Sequence, residues 1–126
     1  MKHSLWLTTW VLAAAAAAAS GAITDIQWSG EGRSRHETRV QAGKFIELCG
    51  KLAQGSAVRW KFESSAPLDF NIHYHVGKDV VYPARLSQVA AAEDTLTVAA
   101  PQDYCWMWTN RMGQPVKLTV TLAKAK

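Results

Sequence analysis

The sequence predicts an all-β protein, an antiparallel β-sandwich of jelly-roll type with about seven to eight short strands. Three observations carry this: period-2 alternation recurs along the chain, turn residues separate the alternating runs, and the region after the N-terminal segment lacks helical periodicity. Val58, Trp60 and Phe62 alternate with Arg59, Lys61 and Glu63, the pattern of a strand with one buried and one wet face. Phe70, Ile72, Tyr74 and Val76 alternate with Asn71, His73 and His75 in the same way. Leu96 and Val98 follow with Thr95 and Thr97, and Leu118, Val120 and Leu122 with Lys117, Thr119 and Thr121. Lys44 to Cys49 and Tyr104 to Thr109 are richer in apolar residues on both faces, as central strands would be.

Turns are expected at Gln54-Gly55-Ser56, Ser64-Ser65-Ala66-Pro67 and Val76-Gly77-Lys78-Asp79. A further turn, from Asn110 to Pro115, would close a hairpin between the Cys105 strand and the C-terminal strand. Val89 to Asp94 reads as a helical turn or a loop, and residues 23–37 as an edge strand or a loosely held arm.

The first residues, Met1-Lys2-His3 followed by an apolar, alanine-rich run to Ala19, have the order of a secretory leader. The small residues Ser20-Gly21-Ala22 place cleavage after Ala22, with Ser20 as the alternative. The apolar run is short for a membrane span, and no cysteine follows it to carry a lipid. The expected organisation is therefore a leader over 1–22 and one domain over 23–126, exported to the periplasm or beyond and not an integral membrane protein after cleavage. In an oxidising compartment Cys49 and Cys105 are expected to pair, closing a loop worth about 4 kcal/mol in the chain-entropy model, with two buried free thiols as the alternative. The net charge of +4 is spread along the chain, with Arg33, Arg35 and Arg39 its densest group. That distribution argues against a nucleic-acid partner and suits a mildly basic surface that meets anionic envelope components.

No catalytic motif is present: there is no nucleophile elbow, no metalloprotease helix motif and no phosphate loop. The chain is expected not to be an enzyme. His73 and His75, at i and i+2 of a strand, share a face about 7 Å apart and could converge on copper or zinc. A third ligand would have to come from His36, Glu37, Asp69, Asp79 or a neighbouring strand, and Met107 or Met112 would favour copper. Otherwise both histidines are the polar face of their strand. Tyr104, Trp106 and Trp108 share the other alternating face from Cys105, so they form either a contact platform or core, according to which side the bridge occupies. The segment from Gly77 to Arg85, carrying Tyr82 and Arg85, reads as a loop or bent edge strand that either binds or simply crosses over.

From Phe45 onward the order of features resembles the GOLD (Golgi dynamics) domain of emp-type cargo receptors. Phe45-Ile46-Glu47-Leu48-Cys49 looks like its first cysteine strand, Gly55 through Phe62 like the next turn and strand, and Phe70 to Val76 like its central strand. Asp103 to Asn110, with an aromatic before the second cysteine, is similar to its late strand. The resemblance implies a GOLD-like sandwich in which Cys49 and Cys105 bond to each other. The receptors' coiled coil, membrane helix and tail have no counterpart after Leu122, so their sorting role is not implied. The resulting expectation is a non-enzymatic extracytoplasmic module that holds an unidentified protein or envelope component through His73, His75, Tyr82, Arg85 or the Tyr104 strand. The alternative is a copper or zinc binder centred on His73 and His75.

Overall fold

The structure, a computed structural model, describes residues 21–125. The expected leader falls outside the described residues up to residue 20. The strands in chain order are β1 (Ala22–Asp25), β2 (Arg33–Val40), β3 (Phe45–Leu52), β4 (Ala57–Val76), β5 (Asp79–Thr97), β6 (Gln102–Thr109) and β7 (Val116–Lys124). There is no helix among the described residues, so none is long and apolar enough to cross a membrane.

The long β4–β5 hairpin organises the sandwich. One edge of β4 pairs with β5; the other pairs with β7 over Val58–Ser64 and with β6 over Asp69–His73. One leaf therefore runs β2, β7, first half of β4, second half of β5, and the other runs β1, β3, β6, second half of β4, first half of β5. β1 pairs parallel to β3; the remaining pairs are antiparallel. The leaves close on each other through Trp60 and Phe62 from one and Phe70 and Trp108 from the other. Their ring centroids lie 4.9 Å apart for Trp60 and Phe70, 4.8 Å for Phe62 and Phe70 and 5.7 Å for Phe62 and Trp108.

Several local expectations are corrected. Ser64-Ser65-Ala66-Pro67 does not reverse the chain but is the irregular stretch where β4 passes from one leaf to the other, with register shifts between Glu63 and Phe70. Proline lacks the ladder donor and fits where pairing is already interrupted. Residues 89–94 are strand, because Ala91 to Thr95 pair with Arg59 to Glu63; pairing overrides the weak local preference of an alanine-rich run. The Asn110–Pro115 loop crosses between leaves rather than closing a hairpin, since β6 and β7 flank different halves of β4. Asn110 holds that crossover, donating from Nδ2 to the Val40 and Gln114 carbonyls at 3.0 and 2.7 Å. The expected turn at Gly77-Lys78 is present, with Val76 paired to Asp79 and Gly77 at φ 59°, the positive angle that a tight hairpin takes at its first central residue.

Candidate functional site

The burial of alternate positions on β6 decides between the two readings of the aromatic strand. Tyr104, Trp106 and Trp108 are fully buried, at 1%, 0% and 0% exposure. They are core, and the contact-platform reading for these three residues is corrected. The indole N–H groups of Trp106 and Trp108 have no hydrogen-bond partner among the described residues. Leaving such a donor unpaired costs about 1–3 kcal/mol, whereas burying about 200 Å² of ring gains about 5 kcal/mol, so burial prevails.

The bridge consequently lies on the outer face. Cys49 and Cys105 are directly opposed on β3 and β6, with Cα atoms 4.1 Å apart, and are bonded to each other; both are half-buried. In the same ladder His73 pairs with Cys105 and Asn71 with Met107, which faces Glu47. Register thus brings Asn71, His73, Glu47 and the disulfide together. His73 Nδ1 lies 2.7 Å from Asn71 Oδ1, and His73 Nε2 lies 3.1 Å from Glu47 Oε1. Burial pushes the Glu47 carboxyl up, against a smaller lowering by His75. Burial also pushes the His73 imidazole down, with His75 acting in the same direction. Both directions disfavour the charged forms of the two groups, while Nε2 faces the Glu47 carboxyl and Nδ1 faces the Asn71 amide oxygen.

Glu47, His73 and Cys105 place ligand-type atoms within 4.8 Å of one another. Cys105 is spent on the bridge, which leaves two ligands, fewer than the three or four a zinc or copper site needs. His36, Glu37, Asp69 and Asp79 do not join the cluster. Asp69 instead accepts hydrogen bonds from the Gln88 backbone at 3.0 Å and the Gln88 side chain at 2.8 Å, and pairs with Arg111. Arg111 foremost holds its carboxyl below the usual range. The copper or zinc alternative is therefore not supported. Glu47 was missed from the sequence because only the β3–β6–β4 register carries it beside His73.

Beyond this cluster the outer face continues onto the β4–β5 hairpin. His75 is exposed and its ring packs edge-on to His73, with centroids 5.3 Å apart. Tyr82 lies 6.0 Å from the His73 ring, and the Arg85 guanidinium sits 3.9 Å over the Tyr82 ring. Val80 and Tyr82 are exposed on this face, at 38% and 42%, while the exposed Val76, Val81 and Leu86 belong to the alternate face of the hairpin, that of Phe70 and Tyr74. Four of the sequence candidates, His73, His75, Tyr82 and Arg85, are thus gathered at one end of one leaf.

These features define a disulfide-bonded β-sandwich that displays an apolar, aromatic hairpin surface. No family model matches the chain, and no curated protein matches it. Among solved structures it is similar to PliG of Aeromonas hydrophila, a periplasmic lysozyme inhibitor of g-type lysozyme, with a TM-score of 0.61, 13% identity, and 84% of this chain and 100% of that one covered. It is likewise similar to Salmonella Typhimurium PliG, with a TM-score of 0.59, 15% identity and coverage of 82% and 99%. A mutant of the Escherichia coli PliG gives a TM-score of 0.58, 14% identity and coverage of 84% and 100%. At these identities the likeness establishes the fold. It also corrects the GOLD resemblance, because the neighbours are these inhibitors and not cargo receptors. The motifs behind that resemblance, a cysteine strand, alternating strands and an aromatic before the second cysteine, are what any bridged β3–β6 pair in a sandwich shows.

Proposed function

We propose that this protein is an exported, non-enzymatic inhibitor module that binds a protein partner through the β4–β5 hairpin, and that the partner is a g-type lysozyme. The observation that carries the reading is the exposed Tyr82–Arg85 stack beside His73 on the outer face of the hairpin, the face that also holds His75 and Val80. Tyrosine and arginine are enriched among the anchors that carry most of the binding energy of protein interfaces. Among the described residues β5 pairs only with β4, leaving its far edge without a strand partner, but Pro83 and the left-handed Gln88 (φ 50°) interrupt that edge. Side-chain contact is thereby favoured over addition of a partner's strand. Chemistry has little to work with here, since Cys105, the nucleophile-type residue beside His73, is held in the bridge. The structural neighbours, periplasmic inhibitors of g-type lysozyme, support the finer identity of the partner.

The leader expected from the N-terminal sequence supports the same reading. Cleavage after Ser20 would keep β1 whole, with Ala22 paired to Ile46 and Gly21 against the Phe45 ring.

The test is inhibition of a g-type lysozyme by the purified domain, with a c-type lysozyme in parallel. Tyr82→Ala and Arg85→Ala should each weaken inhibition on the order of 30-fold, equivalent to about 2 kcal/mol. An intact domain that neither binds nor inhibits the g-type enzyme would overturn the partner's identity. Unchanged inhibition by both variants would overturn the assigned surface.

A further inference from the structure

The opposite leaf carries a groove that the inhibitor reading does not use. On the outer face of that leaf, register sets Arg33, Ala123, Arg59 and Thr95 in one row across β2, β7, β4 and β5. The next row is Arg35, Thr121, Lys61 and Glu93, and the one after it is Glu37, Thr119, Glu63 and Ala91. Small residues on β7 make the floor, and long side chains on β2 and β4, about 10 Å apart across it, make the walls. The resulting groove has a volume of about 520 Å³, with Trp60 and Leu122 beneath and Asp94 on the β5 rim.

Its charges are unequally satisfied. Arg35 pairs with Glu37, and Lys61 with Glu63 at 3.6 Å. Asp94 is turned to the Thr95 backbone N–H at 2.7 Å. Arg33 and Arg59 form no ion pair among the described residues, although they face each other over Ala123. Glu93, across from Lys61 on the β5 side, also forms no ion pair among the described residues, so the basic character is concentrated at the Arg33–Arg59 row, where an anion lying between the two walls is attracted by both guanidinium groups. A planar carboxylate is saturated by one guanidinium fork, whereas a phosphate monoester offers three terminal oxygens and can engage forks from both walls.

We propose that the groove between β2 and β4 binds a phosphate monoester, held from opposite walls by Arg33 and Arg59 over Ala123, with Arg35 as the next donor along β2. The group could arrive on a soluble sugar phosphate or on a lipid headgroup; the chemistry recognised is the same.

Binding is measured by calorimetry with glucose 6-phosphate and by sedimentation with phosphatidylcholine vesicles containing or lacking phosphatidic acid. Arg33→Ala/Arg59→Ala is compared with Arg39→Ala/Lys117→Ala, which removes the same charge from the same face outside the groove. Arg59→Lys keeps the charge but loses the fork. The groove variant should lose affinity on the order of 100-fold, Arg59→Lys about ten-fold, and the control about two-fold or less. Binding of glucose 6-phosphate with this ranking supports the proposal with a soluble source; the ranking seen only with phosphatidic acid vesicles supports it with a lipid source. No binding to either probe, or equal losses in the two double variants, overturns it. All four positions are exposed, and circular dichroism of each variant confirms that the comparison is between folded proteins.

Discussion

Removing the bridge by Cys49→Ala/Cys105→Ala separates the role of the disulfide from that of the core. The two cysteines are 56 residues apart, and a loop of that length contributes about 4 kcal/mol through restriction of the unfolded chain. The bridge sits on the outer face, so its loss opens no cavity between the leaves, and the β3–β6 ladder from Phe45 to Leu52 keeps its hydrogen bonds. The destabilisation should therefore approach the full unfolded-state value without a cavity cost, lowering the melting temperature by about 20 °C for a domain of this size. Urea unfolding followed by tryptophan fluorescence should give the loss together with a larger m-value, because the freed unfolded chain is more expanded. Near-UV circular dichroism before the transition should be unchanged, since Trp106 and Trp108 face away from the bridge. A loss under about 1 kcal/mol, or a collapsed near-UV spectrum in the folded variant, would refute the reasoning. Reduction of the native protein should reproduce the same loss.

Trp106→Ala should cost about 3–5 kcal/mol and abolish most of the near-UV signal, as expected for a fully buried ring; a change under about 1 kcal/mol by urea titration would return it to the surface. The Glu47–His73 pair makes opposing contributions to the pH dependence of stability. His73 is lowered from 6.5, so the unfolded chain binds more protons below that value, and this contribution to stability rises with pH up to about 6.5. Glu47 is raised from 4.5, so the folded chain binds more protons above 4.5, and its contribution falls as pH rises through that window. Glu47→Gln removes the second effect alone, so stability relative to the native protein should improve as pH rises above 4.5; a difference constant with pH across urea titrations would contradict the raised Glu47 carboxyl.

Local pattern determined much of this protein. The alternation at Val58-Trp60-Phe62, Phe70-Ile72-Tyr74 and Leu118-Val120-Leu122 names the buried faces, because a strand's side chains alternate whatever it pairs with. The bridge is expected from the two cysteines and the oxidising compartment that the N-terminal segment implies, not from strand pattern, whereas Gly77-Lys78 marks its hairpin by local turn chemistry. Only tertiary structure decided which side of β6 faces inward. Alternation puts Cys105 opposite Trp106 but is silent on which is core, and the larger apolar area of the indoles settles it. Tertiary pairing also decided that β4 serves both leaves, that residues 91–95 become strand, and that Glu47 meets His73 while Arg33 meets Arg59 across Ala123. Each is a relation between strands far apart in sequence, fixed by register, and register is set when the two leaves close over Trp60, Phe62, Phe70 and Trp108.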